Sequence, residues 1–441
     1  MTNLWAFLFV LGVLVFVHEL GHFLLARWNG VRVLTFSLGF GPKLLKLTRG
    51  GTEYCISAIP LGGYVKMAGE TPDEPRSGAA DEFMSKTKWQ RFQVLIAGPA
   101  MNLLLALIVM TFVIWSGATE PAFEQRAPVV GRVLPGSPAE KSGLQVGDVI
   151  VNFADREVTT WQGLQMRVVP RANREVPIVV RRDGERRSLT IVPEAQTKYE
   201  IGDLGILPSM HPEIAQVIPG TAAEAAGLKV KDVIVSFNGT DTTGFTLQQM
   251  IAEIGKRAGQ PVRLGLLRGG QPIEITATPR ETGGVGRLGV NLSAFETVDI
   301  QPTFVQAIGM SARQNWEWTS LIGEMLAGLF TAETSPKQLM GPLGIAEVAG
   351  GAASVSWAAL FGTMAMVSLN LGLLNLLPIP ILDGGHITIL AVEGLARRDF
   401  SLRVKERMLM AGFAVLMVLM VTVIYNDLTR VEWLSRLFSR S

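Results

Sequence analysis

Cysteine is almost missing: Cys55 is the only one in 441 residues, so no disulfide within the chain can carry any part of the fold. Charge is scarce too. Asp, Glu, Lys and Arg make up 18% of the chain against 48% apolar side chains, a balance too greasy for an ordinary soluble protein. The formal net charge of +2 says little about partners, and nucleic acid is not expected among them. The first apolar run lacks the marks of a cleaved secretory leader, because no basic residue precedes it and no small-residue cleavage site follows it, so it reads as retained. There are only four histidines, which makes the position of each one informative.

What the chain does have is four apolar runs, at roughly 4–26, 94–115, 357–377 and 408–425. Each is near the length of about 20 helical residues that a hydrocarbon core requires. Between the first two, Arg27 to Arg91 contains ten Lys or Arg, and the short connection "ARRDFSLRVKER" contains five. Both should be cytoplasmic by the positive-inside rule. The N-terminus and the long segment between the second and third runs then lie on the far side, with the tail, whose Arg430, Arg436 and Arg440 fit that placement less well.

That long segment, about 240 residues of soluble composition, contains a duplication. "PGSPAEKSGLQVGDVIVNF" from Pro135 matches "PGTAAEAAGLKVKDVIVSF" from Pro219 without a gap. Each copy reads as a strand, a Pro-Gly turn, a short helix opened by Ser or Thr, a glycine that ends it, and a buried strand "DVIV". This pattern resembles PDZ domains, placed at 126–197 and 204–282. Such domains bind extended peptides or C-termini by strand addition. Lys231 stands where the first copy has Gly147, so strand entry should differ there.

The sharpest motif is "HELGH" inside the first apolar run. Residues four apart share a helix face, so His18 and His22 point the same way, as two imidazoles on one zinc ion must. Glu19, one position on, can exchange a proton with a water at the metal without being a ligand. Gly21 leaves room for another backbone. An ionisable cluster at membrane depth is costly and marks function. A catalytic zinc needs a third protein ligand and an open position. His211 lies in the duplicated region, on the far side. "NLLPIPILDGGH", Asn375 to His386, ends the third run, and Pro378 and Pro380 break its helix. Irregular backbone at that depth is tolerated where it lines a cavity. Either Asp383 or His386 can therefore be the third ligand.

HExxH on a first membrane helix together with N-x-x-P-x-P-x-L-D-G near the third resembles the site-2 protease family of intramembrane zinc metalloproteases. "FSLGFGPKL" (36–44), "PLGGYVKM" (60–67) and "AGPAMN" (97–102) belong to the same likeness. The tandem PDZ pair and four-span layout resemble the family's Gram-negative sigma-E branch. The resemblance implies His18, His22 and Asp383 as zinc ligands, Glu19 as general base and Asn375 as a substrate-binding residue, with His386 in a supporting place. It also implies a bacterial inner-membrane location and cleavage of single-span membrane proteins, among them an anti-sigma factor already trimmed by another protease and remnant signal peptides.

The expected architecture is a multi-span α-helical membrane protein with two inserted α+β PDZ domains. Its N-terminal membrane part is 1–125. A surface helix and linker occupy 300–352, and the C-terminal membrane part is 353–441. Gly51–Met67 reads as a re-entrant β-hairpin about a Pro-Leu-Gly-Gly turn, its edge pairing with substrate. Pro302–Phe330 reads as an amphipathic helix with Trp316 and Trp318 at the interface. The PDZ pair is expected to gate substrate access. Two other classes fit parts of the pattern: a metal-binding PDZ scaffold, which has no use for Glu19, and a metal transporter, for which a second intramembrane ligand cluster is lacking.

Overall fold

A computed structural model describes residues 2–70, 78–197, 199–331 and 334–429. The tail arginines lie outside them. Seven helices matter for the membrane part: α1 (Thr2–Trp28), α2 (Lys88–Trp115), α3 (Phe304–Phe330), α4 (Pro342–Val355), α5 (Trp357–Asn375), α6 (Asp383–Leu395) and α7 (Leu402–Thr429). Four of them, α1, α2, α5 and α7, are long and apolar enough to cross a membrane.

The chain divides into two units, one of residues 1–116, 301–326 and 339–441, the other of 117–300 and 327–338. In the first unit one row of α1, Ala6, Val10, Leu14, His18, His22 and Ala26, is buried along its whole length, with Phe7, Gly21 and Phe23 buried beside it. Helix α2 has a matching row, Val94, Gly98, Asn102, Ala106 and Met110. A spacing of four is one of the natural ridges of a helix, and two such ridges interlock. The two histidines therefore occupy core positions of the contact between α1 and α2. Helix α2 starts on a complete capping box, in which Thr87 and Gln90 bond each other's backbone amides.

Between α1 and α2 lie two long strands, β1 (Val33–Arg49) and β2 (Thr52–Met67), joined at Gly50–Gly51. Along Thr35–Leu38 one set of partners descends from Lys66 to Gly63, while the other ascends from Glu53 to Ile56. The chain must reverse between Ile56 and Gly63, which is where the Pro-Leu-Gly-Gly turn was expected. The result is one small sheet whose 63–67 edge lies on α1. A β-carbon at Gly63 would stand 2.9 Å from Val15 Cγ1 and 3.0 Å from Glu19 Cγ.

Two further ties complete this unit. Asp427, in the last turn of α7, accepts from the amides of Gly341, Leu343 and Gly344 at 3.1, 2.9 and 3.3 Å. It thus satisfies the unpaired N–H groups that open α4. Helix α3 does more than skirt the surface. Its Ser311 Oγ donates to Leu107 O at 2.9 Å, about 12 Å along α2 from Trp115.

The second unit contains the duplication. In each copy a strand (130–133 or 213–217) leads through a turn to a helix (Pro138–Lys141 or Ala222–Ala225) and then a central strand (149–153 or 233–237). Each encloses its own apolar core, around Ile150 and Phe153 or around Ile234 and Phe237. Both repeat one buried ion pair. Arg182 grips Asp148 with two hydrogen bonds of 2.7 Å, and Arg268 grips Asp232 in the same way. Burial opposes charge on Asp148, but the Arg182 guanidinium prevails and holds its carboxyl below the usual range.

Strand entry is conserved despite Lys231, which adopts φ +70° where Gly147 has +90°. Its ammonium reaches Thr297 Oγ1 at 2.6 Å and the Glu213 carboxylate at 3.7 Å. Both copies draw on chain beyond the expected ranges. Ile206–Pro208 pairs with the strand at 130–133, and Val290–Ser293 pairs with the one at 213–217.

Candidate metal centre

Three donor atoms meet where α1, α2 and the start of α6 come together. His18 Nε2 and His22 Nε2 are 3.2 Å apart, and Asp383 Oδ2 lies 3.2 Å from the first and 3.5 Å from the second. Each residue has a separate reason for its position. The two histidines are successive members of the buried α1 row. Asp383 is the first residue of α6, delivered by the break at Pro378–Pro380. The turn before it is so tight that a β-carbon on Gly384 or Gly385 would run into the carbonyls of Leu376 and Ile379.

The outer ring nitrogens are also held. His22 Nδ1 is 2.8 Å from the carbonyl of Val94. A carbonyl can only accept, so Nδ1 carries a proton, and in the neutral ring Nε2 is then the lone pair. Gly98 lies against both Nε2 atoms, and any side chain there would meet them. Among the described residues no other group of three His, Cys, Asp or Glu donors is so close.

The donor set fits a tetrahedral cation. Arms of zinc–ligand length place ligand atoms about 3.4 Å apart, close to the three separations found. Two imidazole lone pairs and a carboxylate oxygen aimed at one point repel one another unless a positive charge lies between them. Glu19 is beside this group but not in it. Its carboxylate faces the backbone amide of Val65 on the sheet edge.

Of the other residues singled out, His386 is one turn along α6, exposed and outside the cluster. Asn375 ends α5, half-buried, with no contact to the three donors. His211 lies in the other unit, 3.2 Å from Glu296 and 3.0 Å from Thr243. Together with Arg126 it holds the Glu296 carboxyl below its ordinary range.

Membrane-length helices that close on a buried His-His-Asp donor set, with an uncoordinated glutamate beside it, define the class of intramembrane metallopeptidases. The chain belongs to peptidase family M50, whose model matches residues 6–419. It is 33% identical to the protease RseP of Yersinia pestis, over 98% of this chain and all of that one. It is 31% identical to the regulator of sigma-E protease RseP of Escherichia coli, over 97% and 98%. A protein of Ralstonia nicotianae named as a zinc metalloprotease is 34% identical, over 98% and 99%. A solved PDZ domain of an SdrC-like protein from Listeria innocua covers 19% of the chain at 18% identity, with a TM-score of 0.17, too slight a likeness to support an argument.

Proposed function

We propose that this peptidase is a zinc-dependent endopeptidase of the bacterial inner membrane that cuts single-span membrane proteins within or beside their spanning segments. The observation that carries the reading is the buried triangle of His18, His22 and Asp383, which would hold the ion. Bound there, zinc supplies a Lewis acid for water and for the scissile carbonyl. Glu19 takes a proton from the attacking water onto a carboxylate oxygen and returns it to the leaving nitrogen. Asn375, whose side chain has no hydrogen bond to the described residues, donates its amide to the substrate's backbone carbonyl. The 63–67 edge beside Glu19 receives the unwound substrate as an added strand.

The loops rich in Lys and Arg support a site whose mouth faces the cytoplasm and a duplicated unit in the periplasm. Four spans, a re-entrant β1–β2 sheet and two PDZ domains complete the reading. The PDZ pair screens substrates by the size of their far-side domain. An anti-sigma factor is one proposed substrate, in keeping with relatives named regulators of sigma-E, and remnant signal peptides are others. Strand addition suits the second copy better than the first. Alternate residues of an edge strand point their N–H groups outward, here Val290 and Leu292 in the second copy. The corresponding first-copy residues are Ile206 and Pro208, and proline has no N–H.

The test compares wild type with Glu19→Gln on a single-span substrate in detergent, with zinc content measured in both. Zinc in both and cleavage by wild type alone, with a loss of about 100-fold or more, is the expected result. If both bind zinc and neither cuts a substrate trimmed on its far side, the reading gives way to a PDZ scaffold.

A further inference from the structure

Helix α2 supplies no donor to the triangle, yet it touches both histidine rings on the side away from it. Val94 does so for His22, through its carbonyl. Two turns along the same row, Asn102 does so for His18: its side-chain amide nitrogen is placed 3.3 Å from His18 Nδ1. In that orientation the Asn102 Oδ1 is buried without a partner, in a residue with no exposed surface. An orphaned acceptor at membrane depth costs several kcal/mol. The arrangement also forces a donor toward His18 Nδ1, which would leave Nδ1 the lone pair and move the ring proton to Nε2, facing the site.

One change removes both conflicts. The oxygen and nitrogen of an asparagine amide are assigned from their hydrogen bonds, and a half-turn about its last side-chain bond exchanges them. Oδ1 then accepts from His18 Nδ1–H, as the Val94 carbonyl accepts from His22, and both Nε2 lone pairs face Asp383. The Asn102 backbone is braced for this, since its carbonyl accepts from Ser368 Oγ on α5 at 2.8 Å.

We propose that Asn102 is a positioning residue of the metal centre, whose side-chain oxygen fixes His18 as the Nδ1–H tautomer and so keeps its Nε2 free for the metal. This rests on the zinc reading of the site. Supporting partners of this kind are generally worth 10- to 100-fold in metal affinity.

The experiment uses the full chain in detergent and measures zinc affinity by competition with a chelating dye, the visible spectrum of the cobalt-loaded protein, and melting without metal. Asn102→Leu removes the acceptor and should weaken zinc by about 10- to 100-fold, with a changed cobalt spectrum. Asn102→Asp keeps an acceptor and loses the donor, and should bind zinc within about threefold of wild type or more tightly. The proposal is overturned if Asn102→Leu binds as wild type does, or if Asn102→Asp loses tenfold or more, which would mean that the nitrogen matters. Should Asn102→Leu fail to fold, Asn102→Ala, which also lacks the acceptor, takes its place and should show the same loss. Wild type that takes up neither metal would sink the zinc reading itself, an outcome distinct from metal bound equally by every variant.

Discussion

Gly98→Ala should empty the metal site while leaving the helix bundle intact. An alanine β-carbon there would stand 2.8 Å from His18 Nε2 and closer still to His22 Nε2. Non-bonded heavy atoms settle at about 3.5 Å or more, so the His18 ring must retreat by about 0.7 Å and the His22 ring by more, or the helix must move. Metal ligands tolerate only about 0.2 Å of misplacement. The rings have little freedom to retreat, because Val94 holds one and Asn102 touches the other. Zinc affinity should therefore fall by at least about 100-fold, the upper end of what a lost supporting contact costs. Helix propensity pulls the other way, since alanine inside a helix is favoured over glycine by about 1 kcal/mol. Overpacking costs about 1–3 kcal/mol, so the metal-free melting point should hold or fall by a few degrees. In wild type, zinc at 100 times its dissociation constant adds about 2.7 kcal/mol, a gain that should vanish in Gly98→Ala. Gly12→Ala on α1, where a β-carbon meets nothing within 4 Å, is the control and should retain the full gain. Zinc binding of wild-type strength in Gly98→Ala would refute the placement of α2 against the donors.

Asp148→Asn should destabilise the first duplicated copy by about 3–5 kcal/mol at neutral pH, the usual cost of breaking a buried ion pair. The folded-state pKa of Asp148 is lowered, so its contribution is fully present above the unfolded value of about 3.9 and is lost as pH falls through the folded one. Fluorescence of Trp161, which lies in the same core, should show the variant and wild type converging in acid. A constant gap down to the lowest pH would refute that assignment. An extended peptide that binds the duplicated unit should protect the amides of Val290 and Leu292 from hydrogen exchange but not that of Ile206. The reverse pattern would overturn the assignment of strand addition to the second copy.

How far the site could be read from the sequence depends on which atoms build it. Spacing alone put His18 and His22 on one face, because helix geometry requires it. Residue types left Asp383 and His386 equal. A helix start separates their positions: Asp383 opens α6 with its carboxylate beside the two histidines, whereas His386, three residues on, is carried to an exposed position. A proline break signals that a turn exists but not how tightly it closes. The part played by α2 was the least visible, since it consists of a backbone carbonyl, a missing side chain and one neutral amide. None of these belongs to a metal-ligand pattern. The row Val94, Gly98, Asn102, Ala106, Met110 was nevertheless in the sequence, and its spacing of four matches the α1 row that holds the histidines.

The duplicated unit shows the same distinction in another form. The ungapped match ends at Phe237, and the expected ranges, 126–197 and 204–282, stop short of the last strand of each copy. Yet the offset of 84 returns further on, where Leu204-Gly205-Ile206 corresponds to Leu288-Gly289-Val290. Leu204 and Leu288 each close their own core, and each strand that follows lies beside the first strand of its copy. The paired arginines are offset by 86 instead, from Arg182 to Arg268, and still grip equivalent aspartates. Loop length between these points has drifted by two residues while the contacts at either end have not. An internal repeat is therefore traced more reliably by pairs that must meet, a core leucine with its strand or an arginine with its buried aspartate, than by uninterrupted identity.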